Sequence, residues 1–416
     1  MTANPTLPDG AGHVLGEGER GGLAAWTYFN AELLEIEKEE LFRRCWQLVG
    51  HLSDIPGPGD YLTLDVAGER ALAIRGKDGT VRCFHNVCRH RGSRVVKDER
   101  GRCAAAIVCP FHGWSYNLDG RLRGMPKPRS LPRLDPVEHG LRPLESEIWM
   151  GFIFVRFRPS RQPGVAEIMA PYAGELAPYR LAELKPRGGF TAEEIPVNWK
   201  AVRDVDNEGY HVPMAHPSLQ DLYGQSYVDD PLGFAASRSF ARFNEGEGRH
   251  WSVRHYRRIL PEATHLPESH RRAWLYIGLF PNLVFALYPD QVSFYHELPL
   301  AIGRTVQRGG RYALPTEARE MKLARYLSDR IDRVTSREDT QLIQWSWESM
   351  QSSGFSGVIL SDLEAGVRRY HDRLRALIPV IALEEEPAPG SVAGVNASLL
   401  AARNSDGWMR EPAVAR

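Results

Sequence analysis

Two cysteine and histidine pairs constrain the fold of this 416-residue chain more than any other feature. Cys88 and His90 stand in Cys-Arg-His-Arg-Gly, and Cys109 and His112 stand in Cys-Pro-Phe-His-Gly-Trp-Ser-Tyr. Each pair offers one thiolate and one imidazole, which are metal ligands of different softness. A glycine stands two residues after His90 and directly after His112, and it lets the backbone come close to a bound group. The fold must therefore bring two loops together around one metal site.

Two kinds of metal centre use this set of ligands. In a Rieske [2Fe–2S] centre, two cysteines hold one iron and two histidines hold the other. A structural zinc site is the alternative, although zinc sites more often pair cysteine with cysteine and histidine with histidine. The stretch closely resembles the Rieske motif, in which Cys88, His90, Cys109 and His112 are the cluster ligands.

Composition indicates an ordinary globular protein, with 43% hydrophobic and 25% charged residues. The chain is long enough for two domains. Its 52 basic and 52 acidic residues balance, so charge does not indicate a nucleic-acid partner. Five cysteines, two of them in the motif, favour a reducing compartment. Residues 1–22 lack the apolar core of a signal peptide, and no apolar run is as long as a membrane span, so we expect a cytoplasmic protein.

Hydrophobic periodicity and turn residues predict five segments. They are a flexible N-terminal tail (1–22), a helical segment packing on the larger domain (23–45), a β domain with the cysteine and histidine motif (46–160), a larger second domain (161–384) and a C-terminal tail (385–416). Strands are predicted over 61–66, 71–75, 81–87, 148–157, 251–257, 273–280, 283–288 and 292–298. Helices are predicted over 30–46, 316–353 and 363–377.

A second metal site is predicted around His211 and His216. With an acid from elsewhere, they would form the two-histidine, one-carboxylate face of non-haem iron oxygenases. An ideal helix would place these side chains roughly 140° apart, so the helix must break, and Pro213 and Pro217 favour a break. Two unrelated histidines are the simplest reading of this spacing alone. The preceding Asn198-Trp-Lys and Glu208-Gly-Tyr strengthen the metal interpretation.

With both motifs in place, the chain from about Trp26 to about Pro379 resembles the catalytic α subunit of Rieske non-haem iron oxygenases. This family includes aromatic ring-hydroxylating dioxygenases, mono-oxygenases and demethylases. The resemblance implies an α+β fold, with a Rieske β-sandwich domain and a catalytic domain in which helices cover a curved antiparallel sheet of the helix-grip type. It implies that His211 and His216 bind iron, and that Glu208 bridges this site to His112 of a neighbouring subunit.

The third iron ligand is an acid, and four acids lie in the right region: Glu338, Asp339, Glu348 and Asp362. Family members share a Ser-x-x-Glu-x-Gly-Val pattern at a fixed distance after this ligand, and here the pattern begins at Ser361. Counting back without a gap selects Asp339. The same register places Trp347 where many members have glutamine, and a solvated helix acid is the alternative reading of Asp339.

The resemblance implies a terminal oxygenase that takes NAD(P)H electrons from a reductase, a ferredoxin or both, and activates O2 at Fe(II). It also implies a homotrimer, with or without a β subunit. We expect a small aromatic substrate; the alternative is demethylation or hydroxylation of a quaternary ammonium compound, because aromatic side chains also surround such cations. A Rieske electron carrier and a zinc-stabilised binding protein are the alternatives without oxygenase activity. The residues expected to line the pocket are Trp274, Phe285, Phe294, Gln344 and Trp347.

Overall fold

A computed structural model describes residues 21–130, 134–230, 235–316 and 318–403. The chain forms two compact units. One is Phe42–Pro186, and the other contains the remaining described residues on either side of it. The predicted N-terminal tail lies outside the described residues, apart from Gly21 and Gly22.

The Phe42–Pro186 unit is built from short antiparallel strands. They are β1 (Gln47–His51), β2 (Asp60–Val66), β3 (Glu69–Arg75), β4 (Val81–His85), β5 (Arg100–Arg102), β6 (Ile107–Val108), β7 (Ser115–Tyr116), β8 (Leu122–Gly124), β9 (Glu145–Trp149), β10 (Phe152–Arg156) and β11 (Lys185–Pro186). Three sheets form, in the orders β4-β3-β2-β5, β6-β7-β8 and β1-β10-β9. Both cysteines of the motif belong to the apolar core of this unit, with Trp114 and Tyr116.

The other unit contains one large antiparallel sheet. Its strands are β12 (Thr191–Ile195), β13 (Val228–Asp230), β14 (Ala236–Arg242), β15 (Ala273–Leu279), β16 (Leu283–Leu287), β17 (Val292–Ala301) and β18 (Arg304–Ala313). The order runs β18-β17-β16-β15-β14-β13, and β12 also pairs with β18. Strands that follow one another along the chain are therefore neighbours in the sheet, as expected of hairpin connections.

Eleven α-helices accompany the strands of the described chain. They are α1 (Trp26–Phe29), α2 (Ala31–Glu37), α3 (Val165–Ile168), α4 (Ala173–Leu176), α5 (Trp199–Asp206), α6 (Val212–Ala215), α7 (Pro217–Tyr223), α8 (Trp251–Ile259), α9 (Arg319–Met350), α10 (Ala365–Leu377) and α11 (Val392–Ala401). No helix of the described residues combines the length and apolar character needed to cross a membrane. The α+β fold expected from the resemblance is confirmed.

The position of the long helix α9 follows from its apolar face. Ala324, Leu327 and Ile331 recur at helical spacing and are buried. They pack in one cluster with Leu222 of α7 and Trp274 of β15. Because a helix is rigid over this length, the packing also fixes the acids farther along α9.

Three details differ from the sequence predictions. Residues 251–257 form helix α8 and not a strand, because Val253, Tyr256 and Leu260 are buried at helical spacing. The single strand expected over 148–157 is the hairpin β9–β10, which turns at Met150 and Gly151 with positive φ. The helix expected over 30–46 is shorter, with α2 continued by one π turn over Lys38–Phe42.

The domain limits also differ from those expected. Residues 161–186 belong to the same unit as the cysteine and histidine motif, although the sequence placed them in the catalytic domain. The expected C-terminal tail contains helix α11, which packs against α2. Residues 404–416 of that tail lie outside the described residues.

Candidate metal centres

The two loops of the motif have the same backbone turn. The amide of Gly92 donates to the carbonyl of Cys88 at 3.0 Å, and the amide of Gly113 donates to the carbonyl of Cys109 at 3.0 Å. Both glycines have positive φ, a conformation that other residues adopt only with strain. Both cysteines are buried, at 3% and 2% exposure. The loops therefore present two thiol groups on the protein side of one site.

The two histidines lie together on the outer side of the same site. The ring centroids of His90 and His112 are 4.7 Å apart, and His90 stacks on Trp114 at 4.9 Å. His90 Nδ1 is buried and has no hydrogen-bond partner within the described residues. A buried nitrogen without a partner is costly, and a metal ion at this position would satisfy it. The four side chains thus fit a [2Fe–2S] cluster, with the cysteines inside and the histidines outside.

Tyr116 supports the cysteine side of this site. Its hydroxyl lies 3.2 Å from Cys88 Sγ and accepts a hydrogen bond from the Arg89 amide at 3.0 Å. With that acceptance fixed, the hydroxyl proton points at the sulfur. Burial raises the pKa of the Cys88 thiol, and the Tyr116 hydrogen bond opposes this rise. A bound iron would deprotonate the thiol, and Tyr116 would then donate to a thiolate ligand.

The second site forms where a helix breaks. His211 precedes α6 and His216 separates α6 from α7, with φ −124° and ψ 77° at His216. Pro213 lies in the first turn of α6, before the break, and Pro217 begins α7 directly after it. This break turns both imidazoles toward Asp339 of α9.

Three ligand atoms converge at this point. His211 Nε2 and His216 Nε2 are 3.1 Å apart, and Asp339 Oδ1 lies 3.6 Å from the first and 2.8 Å from the second. One ligand atom from each of the three residues lies within 4.8 Å of the others. This spacing matches a set of ligands on one face of a metal ion, with the opposite face open.

Each histidine is oriented by a carboxylate on its other ring nitrogen. Glu208 bonds to His211 Nδ1 and also accepts from the His211 amide at 3.1 Å. Glu338 lies 2.9 Å from His216 Nδ1. Because Nδ1 of each ring donates to a carboxylate, Nε2 keeps the lone pair that binds a metal. Glu338, which the sequence offered as a possible iron ligand, is a partner of a histidine instead.

The charge of the site also suits a cation. Burial alone would lower the pKa of His216, but the carboxylates of Asp339 and Glu338 raise it above its usual value. A proton is therefore attracted to this position, and so is a metal ion. Only 1% of the His216 side chain is exposed, against 23% for His211 and 22% for Asp339.

Asp339 lies in the wall of a cavity of about 690 Å³. Aromatic and acidic side chains line the same cavity, among them Asp206, Tyr276, Tyr288, Phe294, Tyr295 and Asp332. A cavity of this size suits a small molecule. A ligand held there would lie beside the three converging ligand atoms.

Of the five side chains expected in the pocket, Phe294 lines this cavity. Trp274 and Phe285 are buried in the core, and the Trp274 ring stacks under Tyr288 at 3.7 Å. Trp347 packs on Phe29 at 4.4 Å. The lining of the cavity does not include Trp274, Phe285, Gln344 or Trp347.

Sequence reasoning missed two functional candidates, the acids Asp206 and Asp332. Asp332 lies seven residues before Asp339 on one helix, and this spacing of two turns places both side chains on one face. The Tyr288 hydroxyl donates to Asp332 Oδ1 at 2.9 Å, and the Tyr276 hydroxyl lies 3.3 Å from that of Tyr288. The i, i+7 spacing was the available signal for Asp332.

Two family models match the chain. The Rieske [2Fe-2S] domain matches residues 45–135, and the catalytic domain of the ring hydroxylating alpha subunit matches residues 181–379. The chain belongs to the Rieske oxygenase α subunits. Both domains of the family, the Rieske domain and the mononuclear-iron catalytic domain, are therefore present. The two sets of ligands described above lie within the two matched regions.

Relatives in the family include oxygenase subunits of two named enzymes. The glycine betaine monooxygenase oxygenase subunit of Pseudomonas aeruginosa (strain UCBPP-PA14) is 36% identical over 214 residues, covering 51% of this chain and 48% of the relative. The match thus spans about half the length of that relative. The carnitine monooxygenase oxygenase subunit of Escherichia coli (strain K12) is 27% identical over 372 residues, covering 84% and 93%.

A solved structure of a quaternary ammonium Rieske monooxygenase has the same fold. It matches with a TM-score of 0.73 and 24% identity, covering 87% of this chain and 98% of that one. The Rieske and catalytic architecture is therefore common to both.

Proposed function

We propose that this protein is the terminal oxygenase component of an electron-transfer system, and that it oxidises a small quaternary ammonium compound. The observation that carries the proposal is the convergence of His211, His216 and Asp339 at a cavity that also contains a carboxylate among tyrosine rings. The bound cluster and Fe(II) would supply electron transfer and O2 activation. The protein supplies the ligands, the cavity and the groups that orient the substrate.

The electrons would come from NAD(P)H through a reductase, a ferredoxin or both, as in the family. His112 is exposed, which suits transfer of an electron across a protein surface. Glu208, beside the mononuclear site, would accept a contact from His112 of a neighbouring subunit in a homotrimer, with or without a β subunit. We expect this system to work in the cytoplasm, where NAD(P)H is available.

The cavity lining supports a cationic substrate. The Tyr288 ring stacks on Trp274, and the Tyr276 ring contacts Tyr288 edge-on with an interplanar angle of 82°. Asp332 accepts a hydrogen bond from the Tyr288 hydroxyl. Aromatic faces and a carboxylate are the groups that attract a quaternary ammonium cation. The exposed Arg333 and Arg337 line the same cavity and can receive the carboxylate of a betaine-like substrate.

Oxidation of an aromatic ring, which we expected from the sequence, is the second candidate. Phe294 and three tyrosines line the cavity and can stack on a flat substrate. A neutral ring would not be attracted by the carboxylate of Asp332, however, and by binding beside it would remove water from this charge at a cost in free energy. The carboxylate therefore favours the quaternary ammonium reading.

The test is substrate-stimulated O2 uptake with product mass spectrometry, using the cluster- and iron-loaded protein and a surrogate reductase. One panel contains glycine betaine, carnitine and choline, and the other contains aromatic acids and hydrocarbons. We expect coupled uptake with formaldehyde release or a hydroxylated product from the first panel. Coupled hydroxylation in the aromatic panel alone would contradict the proposed substrate class. No coupled uptake with either panel would contradict the oxygenase proposal itself.

A further inference from the structure

A pair of acids, of which Glu297 is fully buried and Asp206 is 19% exposed, lies beside the cavity and is separate from the three converging ligands. Asp206 ends helix α5 and lines the cavity, and Glu297 lies in β17 with no exposed surface. The two carboxyl groups are within hydrogen-bonding reach of each other. Neither residue belongs to the iron ligands or to their carboxylate partners.

One guanidinium faces both acids. Arg203 Nη1 lies 3.2 Å from Asp206 Oδ2 and 3.5 Å from Glu297 Oε2. In the described part of the chain, no second cation lies within ion-pair distance of either carboxyl group. Glu297 also receives a hydrogen bond from Gln307 Nε2 at 3.3 Å and one from its own backbone amide.

This arrangement cannot hold two negative charges at low cost. Two carboxylates and one guanidinium would leave a net negative charge in a place where Glu297 is fully buried and Arg203 is 3% exposed. Buried charges that lack a partner are neutralised by protonation. Burial and the neighbouring Glu297 raise the pKa of Asp206 well above its usual range, and burial raises the pKa of Glu297. One proton is therefore retained between the two acids.

We propose that Asp206 and Glu297 share one stored proton and that Asp206 delivers it to the cavity during O2 reduction. This inference rests on the proposed oxygenase function. Insertion of one oxygen atom of O2 into a C–H bond, with release of the other as water, takes up two electrons and two protons. The reductase supplies the electrons. The O–H bond of Asp206 breaks, and its proton becomes one of the two protons of the released water; solvent in the cavity supplies the other. The Asp206 carboxylate remains paired with Arg203 until solvent restores its proton after product leaves.

Amide variants test the stored proton without disturbing charge. Asp206→Asn and Glu297→Gln each have the shape of the protonated acid and leave one carboxylate for Arg203. We therefore expect each single variant to fold with a thermal midpoint close to that of the wild type. The double variant leaves Arg203 buried without a carboxylate, and its midpoint should fall well below both.

The first readout is the infrared carbonyl band of a protonated carboxylic acid, recorded on the resting protein near neutral pH. We expect Asp206→Asn and Glu297→Gln each to remove intensity from this band. The matched control is Glu194→Gln on β12, whose carboxylate is exposed and bonded to Arg304 at 2.7 Å and therefore ionised. An unchanged band in both single variants would overturn the inference.

The second readout is coupling under turnover with the reductase. We expect Asp206→Asn to lower product formation by roughly 100-fold, a usual contribution of a general acid, and to release more hydrogen peroxide per O2 consumed. Wild-type product yield and peroxide release in this variant would contradict proton delivery even if the band were lost. A third outcome is that the wild type oxidises no substrate although both single variants lose intensity from the carbonyl band. The oxygenase proposal and proton delivery would then both be wrong, and only the shared proton would be supported.

Discussion

Replacing Asp332 by Asn should weaken binding of a quaternary ammonium ligand strongly. Asp332 is half-buried at the cavity wall, and its Oδ1 already accepts from Tyr288. A carboxylate and a cation about 5 Å apart interact by about 3 kcal/mol at an effective dielectric constant of about 20. Partial exposure reduces this value, so we expect a loss of about 2 to 3 kcal/mol, or roughly 30- to 150-fold in Kd.

The same residue predicts a pH dependence. Burial raises the pKa of Asp332 to about 7, opposed by the Tyr288 hydrogen bond and by Arg311, while Asp329 and Asp290 add to the rise. Above this value the side chain is a carboxylate and attracts the cation, and below it the side chain is neutral. Affinity for the cation should therefore fall as the pH drops below about 7, by at most about tenfold per pH unit, until it reaches the level of Asp332→Asn. Asp332→Asn should bind weakly with no such dependence.

Isothermal titration of the iron-free protein with glycine betaine measures both effects. Tyr288→Phe is the matched control, because it keeps the ring on Trp274 and removes only the hydroxyl that lowers the pKa of Asp332. This variant should lose only a few-fold in affinity, and its pH midpoint should shift upward. The reasoning is refuted if Asp332→Asn binds the cation as tightly as the wild type, or loses a neutral aromatic ligand to the same extent.

Three further changes test the metal sites and the core. His211→Ala should lose the mononuclear iron and all turnover, whereas the visible spectrum of the cluster should stay the same. His250→Ala, outside the cavity, should change neither the iron content nor the turnover. Iron analysis, absorption spectra and turnover assays check this. Glu208→Gln should keep both metals but slow oxidation of the reduced cluster, and unchanged single-turnover kinetics would argue against a bridge. Lys200→Met should cost about 3 to 5 kcal/mol, because it leaves Glu37 buried without the cation now 2.5 Å away. Thermal unfolding measures this loss, and Glu37→Met/Lys200→Met should recover most of it.

The residues around both metals could be predicted from sequence because their signals are local. The cysteine and histidine arms lie on short loops, and the break at His216 follows from two prolines nearby. Asp339 required the resemblance to the family, since Glu338 beside it has the same charge and helix position. Which of the two adjacent acids reaches the Nε2 atoms of the histidines depends on the rotation of α9, and distant apolar contacts such as that of Leu327 fix this rotation.

Helix α8 shows why periodicity failed elsewhere. The first residues of α8 alternate between apolar and polar, as in a strand, and only Tyr256 and Leu260 extend the pattern to helical spacing. The hairpin β9–β10 was missed for a different reason. Ile148 and Trp149 at the end of β9 join the apolar residues of β10 into one apolar run, and Gly151 is the only turn-favouring residue between them.

The pairing of Asp206 with Glu297 could not be predicted, because the two acids are far apart in the sequence. The position of Glu297 alone, however, indicated a partner. Arg203 and Asp206 are three residues apart on a helix, and such pairs are usually solvated. Glu297, by contrast, stands in a strand whose burial extends from His296 to Leu298, where a charge needs a partner. Only the pairing of α5 with β17 shows that both acids compete for one guanidinium. A charged residue inside an apolar strand therefore indicates that a partner exists, but the tertiary fold decides whether that partner is a countercharge or a shared proton.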